Sequence, residues 1–186
     1  MLELEDRLRL GAGNERECYI HPHDAARCIK VNRPGVVHRQ QNRIERYYFR
    51  HLERRGLTGR YLPRFYGEAS TTLGPGLVFE RIVDHDGQAS VPLAHALDQG
   101  AISRDEARRL TDELFDFLLE EGVCLGDVNR DQVLVRDAGV QWRPVIIDGL
   151  GTRRYGLKLW LVTRSRSLSR RKTLKSRAIF MKKLLP

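Results

Sequence analysis

Two aspartates bracket the stretch VNRDQVLVRDAGVQWRPVII: Asp127 stands immediately before it and Asp148 immediately after. Its β-branched apolar runs suit two pleated strands, and DAG at residues 137–139 is turn chemistry, so the segment reads as a β-hairpin. A hairpin returns the chain to its starting end, which places the two carboxylates near each other. Adjacent anions repel and raise each other's pKa unless a cation separates them or one takes a proton. A hard divalent cation held by oxygen ligands meets that requirement. Asn129 and Gln132, in the same loop, offer neutral amide oxygens. Taken singly, each aspartate could be a strand-end cap; taken together they make sense as a metal and phosphate site.

Upstream, LRLGAG, ECYIHP and AARCIKVN (residues 8–13, 17–22 and 25–32) read as three strands of a small antiparallel meander. A helix is expected after Pro34, with Gln41, Ile44, Glu45, Tyr48 and Leu52 on one face and Gly56 as its stop. Glu45 then lies beside the apolar stripe, where an unpaired charge is costly. RFYGEA and GLVFERIVD add two strands around TTLGPG, and the polar VDHDGQAS (residues 83–90) is the expected lobe boundary. SRDE at residues 103–106 matches a capping box. The helix it opens carries Ala107, Leu110, Leu114, Phe117 and Leu118 on one face and ends near Gly122. This order of elements gives the class α+β.

Four segments in sequence order resemble the nucleotide site of the protein-kinase-like superfamily. LGAGNEREC (residues 10–18) is similar to the glycine-rich loop, with Gly11 and Gly13, although Arg16 sits where a third glycine is usual. CIKV is similar to the strand motif that carries the lysine, here Lys30, and Glu45 fifteen residues on matches its helix partner. LGDVNRDQVLV and VIIDGLG resemble the catalytic and metal-binding loops. More narrowly, LGAGNERECYIHP, CIKV, ERYYFRHL and LGDVNRDQVLV resemble the bacterial YrbL family, a small kinase-like group described as a PhoP regulatory network protein.

The resemblance implies a minimal two-lobed protein-kinase-like fold with a reduced C-lobe. Its expected divisions are an N-lobe over residues 1–84, a C-lobe over 85–152 and a basic helical tail over 153–186. It implies ATP and Mg2+ as cofactors. Gly11, Gly13, Lys30 and Glu45 would hold the phosphates, and the backbone from Glu80 to Ile82 would meet the adenine. Asp127 would orient or deprotonate an acceptor hydroxyl beside Asn129, and Asp148 with Gln132 would hold the metal. Four departures qualify this. Leu125 replaces a histidine, and Gln132 replaces a shorter Asn ligand, which argues against a second magnesium. DGLG replaces Asp-Phe-Gly, and Asn129 stands where protein kinases have Lys. With 38 residues after Asp148, little chain is left for a peptide-docking platform. The expected activity is therefore phosphoryl transfer to a small-molecule or envelope-glycan hydroxyl. The alternatives are a non-catalytic nucleotide-sensing or scaffold protein, or nucleotidyl transfer on the same fold.

Charge divides the chain. Residues 1–152 carry 21 Lys and Arg against 24 Asp and Glu; residues 153–186 carry 12 Lys and Arg and no acid. The overall +9 thus belongs to the tail, not to a nucleic-acid-binding surface spread over the whole protein. Leu157, Trp160, Leu161 and Leu168 share one helical face of this tail, and Leu174, Ala178, Met181 and Leu185 another, after a break at residues 165–169. Two amphipathic helices packed on the C-lobe are one reading, an anionic membrane surface a second, and RNA a third that no RNA-binding fold supports. The charged N-terminus lacks a signal-peptide core, and the three cysteines lack CxxC spacing. The expected location is cytoplasmic, with the inner membrane face as a second place of residence.

Overall fold

The computed structural model describes residues 1–35 and 40–185. Residues 36–39, where the helix after Pro34 is expected to start, lie outside the described residues. The N-lobe is a five-stranded antiparallel sheet ordered β1-β2-β3-β5-β4. Its strands are β1 (Arg9–Ala12), β2 (Arg16–His21), β3 (Asp24–Asn32), β4 (Phe65–Thr71) and β5 (Gly74–Glu80). One helix, α1 (Gln41–Glu53), is inserted after β3. Alternation along β3 decides what faces where. Ile29 and Val31 turn to one side and pack with Leu4, Tyr19 and Val78. Cys28 and Lys30 turn to the other, toward Phe79 and α1. Ile44, Tyr48, Phe49 and Leu52 bury the inner face of α1, and Glu45 lies among them.

The C-lobe joins β6 (Val91–Pro92), α2 (Leu93–Asp98), α3 (Arg104–Glu120) and the hairpin β7 (Val133–Asp137) and β8 (Trp142–Ile146) to two last helices, α4 (Leu157–Arg164) and α5 (Arg166–Leu184). Ser103 caps α3 as expected, its Oγ accepting from Glu106 N–H at 3.1 Å. The Glu106 carboxylate turns to Arg109 at 2.8 Å. Phe115, not Phe117, completes the fully buried stripe of α3. β6 and α2 escape a reading by periodicity because eight residues give too few repeats to count.

The largest departure from expectation lies in α5. Leu174, expected on a packed face, is 53% exposed. The buried stripe instead runs Ser169, Thr173, Ser176, Phe180 and Leu184, with the Phe180 ring 5.9 Å from that of Phe115 on α3. Three of those five positions are hydroxyl residues, so a hydropathy pattern selects the wrong face. No described helix is long and apolar enough to cross a membrane.

Candidate functional site

β2 and β3 pair antiparallel with Cys18 opposite Lys30, so Arg16, two residues before Cys18, shares the cleft-facing side of the sheet. Four charged side chains meet there. Lys30 Nζ donates to Glu45 Oε1 at 2.8 Å and to the Ile147 carbonyl at 2.7 Å. Glu45 Oε2 accepts from Arg16 Nη1. Arg16 Nη2 donates to Asp148 Oδ2 at 2.9 Å, and Asp148 Oδ1 accepts from the Gly149 N–H at 2.7 Å. Charge therefore alternates from Lys30 through Glu45 and Arg16 to Asp148 and sums to zero.

Arg16, Lys30 and Glu45 are each at most 9% exposed, so this pairing is what permits the charges to be buried at all. Burial by itself opposes ionisation of Asp148, but Lys30 and then Arg16 outweigh it and hold the carboxyl down to about 2. Burial also works against the two cations. Glu45 reverses the balance for both, and each pKa lies above its ordinary value.

Sequence reasoning brought Lys30, Glu45 and Asp148 together and left Arg16 out. It registered Arg16 only as a missing glycine. The signal was available in the strand parity, since Arg16 and Cys18 fall on the side that Lys30 faces.

Asp127 lies at the same end of the hairpin as Asp148. Gly126 N–H and Asp127 N–H both donate to the Gly149 carbonyl, at 2.9 and 3.2 Å, and Gly151 N–H donates to the Cys124 carbonyl at 2.7 Å. Gly149 has φ +83°, and a Cβ there would run into the Asp127 carbonyl, so only glycine lets the two loops meet. Asp127 is otherwise unlike Asp148. Its side chain is 48% exposed and pairs with Arg153 at 2.8 Å, itself 74% exposed.

Helix α5 holds this loop from behind. Thr173 Oγ1 accepts from Leu125 N–H at 3.0 Å and donates to the Val123 carbonyl at 2.7 Å. Ser176 Oγ donates to the Leu125 carbonyl at 2.8 Å. Lys183 Nζ donates to the Val128 carbonyl at 2.9 Å and to Asn129 Oδ1 at 3.0 Å. From the N-lobe side, Tyr48 Oη accepts from Cys124 N–H at 2.6 Å. Hydroxyls of α5 thus satisfy the backbone N–H and carbonyl of Leu125.

Between the lobes lies a cavity of about 870 Å³ walled by Gly13, Arg16, Lys30, Asp127, Asn129 and Asp148. It adjoins an apolar pocket of about 290 Å³ lined by Cys28, Phe79, Ile82, Ser90 and Leu134, with Glu80 at its wall. Gly11, Cys18, Lys30 and Ile147 belong to both. The Glu80 carboxylate is engaged outward with Arg136 at 2.8 Å and with Arg64 N–H at 3.1 Å. The backbone of the stretch expected to meet an adenine is bonded within the protein, Glu80 N–H to the Arg64 carbonyl at 2.9 Å and Ser90 N–H to the Ile82 carbonyl at 3.2 Å.

The oxygens expected to hold a divalent metal are already engaged. Asp148 has Arg16 on one oxygen and Gly149 N–H on the other. Gln132 Oε1 accepts from Asn129 N–H at 2.9 Å, and the Asn129 side chain caps the short turn Arg130–Gln132 in return. In this arrangement the residues do not fit a divalent cation.

A buried lysine and glutamate on the upper lobe, facing a pair of loop aspartates across a cleft, define a protein-kinase-like fold. The crystal structure of a single-site mutant of the Mycobacterium tuberculosis PknI kinase domain matches it with a TM-score of 0.57 over 95% of this chain and 71% of that one, at 15% identity. Residues 2–185 match the family described as PhoP regulatory network protein YrbL. The YrbL proteins of Escherichia coli (strain K12) and Shigella flexneri are each 33% identical over 159 residues, which cover 81% of this chain and 74% of theirs. The chain belongs to the YrbL family.

Proposed function

We propose that the cleft binds a purine nucleoside polyphosphate and that the protein is a nucleotide-responsive, kinase-like binding protein. The base would occupy the apolar pocket beside Phe79 and Ile82, and the phosphates would lie under the β1–β2 connection, between Gly11 on β1 and Gly13 in the turn. The observation that carries this reading is the buried pair of Lys30 and Glu45, set where the apolar pocket opens into the polar cavity. Kinase-like folds generally bind ATP with Mg2+, and this site keeps the lysine side of that pattern while its metal side is tied up.

A second reading, phosphoryl transfer to a small-molecule or glycan hydroxyl, is favoured by one observation. Asp127 is half exposed on the cavity wall, where it could take the acceptor's proton. A thermal-shift titration with ATP, paired with a measurement of ATP consumption, tests both. Ligand at a hundredfold excess over its Kd stabilises by about 2.7 kcal/mol, roughly 5–10 °C for a chain of this size. Lys30→Met is expected to lose the shift. No shift for the wild type would remove the nucleotide reading, and steady ATP consumption with a hydroxyl acceptor would replace sensing by transfer.

An anionic membrane surface is the partner proposed for the outer face of α4 and α5. Arg166, Arg170, Arg177 and Lys183 bond to α3 or the loop, but Lys158, Arg171, Lys172 and Lys175 border an apolar groove that includes Leu168. Trp160, 45% exposed, stands on the same pair of helices. Co-sedimentation with anionic vesicles that falls with salt supports this partner; binding to neutral vesicles alone would not.

A further inference from the structure

We propose that the Arg16 guanidinium takes the place of a divalent cation in this cleft, so that the nucleotide's phosphates are bound by Arg16 and Lys30 without a metal. The inference rests on the nucleotide reading above and specifies how its phosphate end is recognised.

Three observations carry it. The first is position. Arg16 opens β2 directly after the turn at residues 13–15, next to Gly11 on β1, and it lines the polar cavity together with Lys30. The second is what Arg16 touches. It bridges Glu45 and Asp148, which would otherwise be two buried or half-buried anions sharing one lysine. A cation between those carboxylates is an electrostatic necessity, and the chain provides its own. The third is that the two amide oxygens expected to join Asp148 face elsewhere. Gln132 and Asn129 serve the loop they belong to, and Lys183 from α5 reaches Asn129 Oδ1.

The chemistry of the guanidinium suits this role. It is planar, it cannot be deprotonated in a protein, and its five N–H donors form a fork that matches carboxylate and phosphate oxygens alike. A divalent ion approaching Asp148 would have to displace a guanidinium already bonded to two carboxylates. Beside Asp148 it would find Asp127, whose Oδ1 already accepts from Val128 N–H and Arg153, and no disengaged amide oxygen on Gln132 or Asn129. A polyphosphate needs no group displaced, because a guanidinium has five N–H donors and an ammonium three. It meets a wall of mixed charge, on which Arg16, Lys30 and Arg153 stand among Asp127 and Asp148, and it would take the N–H donors of Arg16 and Lys30 that their carboxylate partners leave over. Small, strongly hydrated Mg2+ keeps most of its own waters and gains least from a crowded site.

Calorimetric titration of the full chain with ATP tests this, once in excess EDTA and once with Mg2+, at equal ionic strength. The wild type is expected to bind with a Kd that agrees within about threefold between the two buffers. That ratio converts to less than about 0.7 kcal/mol. Arg16→Gly, which restores the third glycine of the loop and frees Asp148, is expected to bind in Mg2+ at least tenfold more tightly than in EDTA. Wild-type binding that appears only with Mg2+ would overturn the inference while leaving the nucleotide reading in place. No wild-type binding in either buffer would remove both. The wild-type pair of titrations decides the matter even if the Arg16→Gly chain does not fold.

Discussion

Asp127 and Asp148 stand at the two ends of one hairpin, with side chains 48% and 35% exposed, and what sets them apart is the burial of their partners. Asp148 closes a chain of four alternating charges whose other members are at most 9% exposed. Asp127 faces an arginine that is three-quarters in solvent. The first arrangement is held by desolvation: each charge needs its neighbour, because water cannot replace it. The second is held loosely, because water competes with Arg153 for the same oxygen. One end of the hairpin is therefore held by buried charges, and the other remains open to solvent.

The largest effect should come from the interior of the buried chain. Glu45→Gln leaves Lys30 and Arg16 with Asp148 as their common counter-charge, and a loss of about 3–5 kcal/mol is expected in urea unfolding. A loss below about 1 kcal/mol, the ceiling for an ordinary surface pair, would mean the four groups are not coupled. Next comes the support behind Asp127. Thr173→Val removes the partner of both Leu125 N–H and the Val123 carbonyl, and should cost about 1–3 kcal/mol, as is usual for buried groups left unsatisfied. Thr173→Ser should recover most of it, which a purely volumetric role for Thr173 would not allow.

The acid limb separates the two aspartates in another way. The folded Asp148 carboxyl titrates near 2, below the roughly 3.9 of an unfolded aspartate. In that window the unfolded chain binds more protons, so this contribution to stability is complete above about pH 5 and is lost as the pH falls toward 2. The stability difference between the wild type and Asp148→Asn should shrink over that range, and a difference that stays constant from about pH 6 to about pH 3 would contradict the pairing. The smallest effect is expected at the exposed end: Arg153→Ala should change stability by no more than about 0.5 kcal/mol. A larger loss would show that the Asp127 end is as tightly built as the other.

Much of the buried chain was legible because its members keep fixed spacing. Lys30 and Glu45 lie fifteen residues apart on a strand and a helix of definite facing, and the burial of Glu45 followed from its place among Ile44, Tyr48 and Leu52. Arg16 was not legible in the same way, since comparison with a glycine-rich pattern records it as an absence and only strand parity shows where its side chain goes. The role of α5 was hidden for a different reason. Thr173 and Ser176 are buried to satisfy backbone groups of another segment, and hydropathy does not register a hydroxyl whose partner is about fifty residues away. The exposed Leu174 misled in the opposite direction, because an apolar residue on a helix need not face inward.

Everything turns on whether nucleotide phosphates meet the buried charge chain. Amide hydrogen exchange with and without ATP tests this directly. Slowed exchange is expected in two stretches, the turn at residues 11–16 and the loop at 147–150, with weaker protection at 80–82. Protection confined to the outer faces of α1 or α5, with residues 11–16 and 147–150 unchanged, would contradict it.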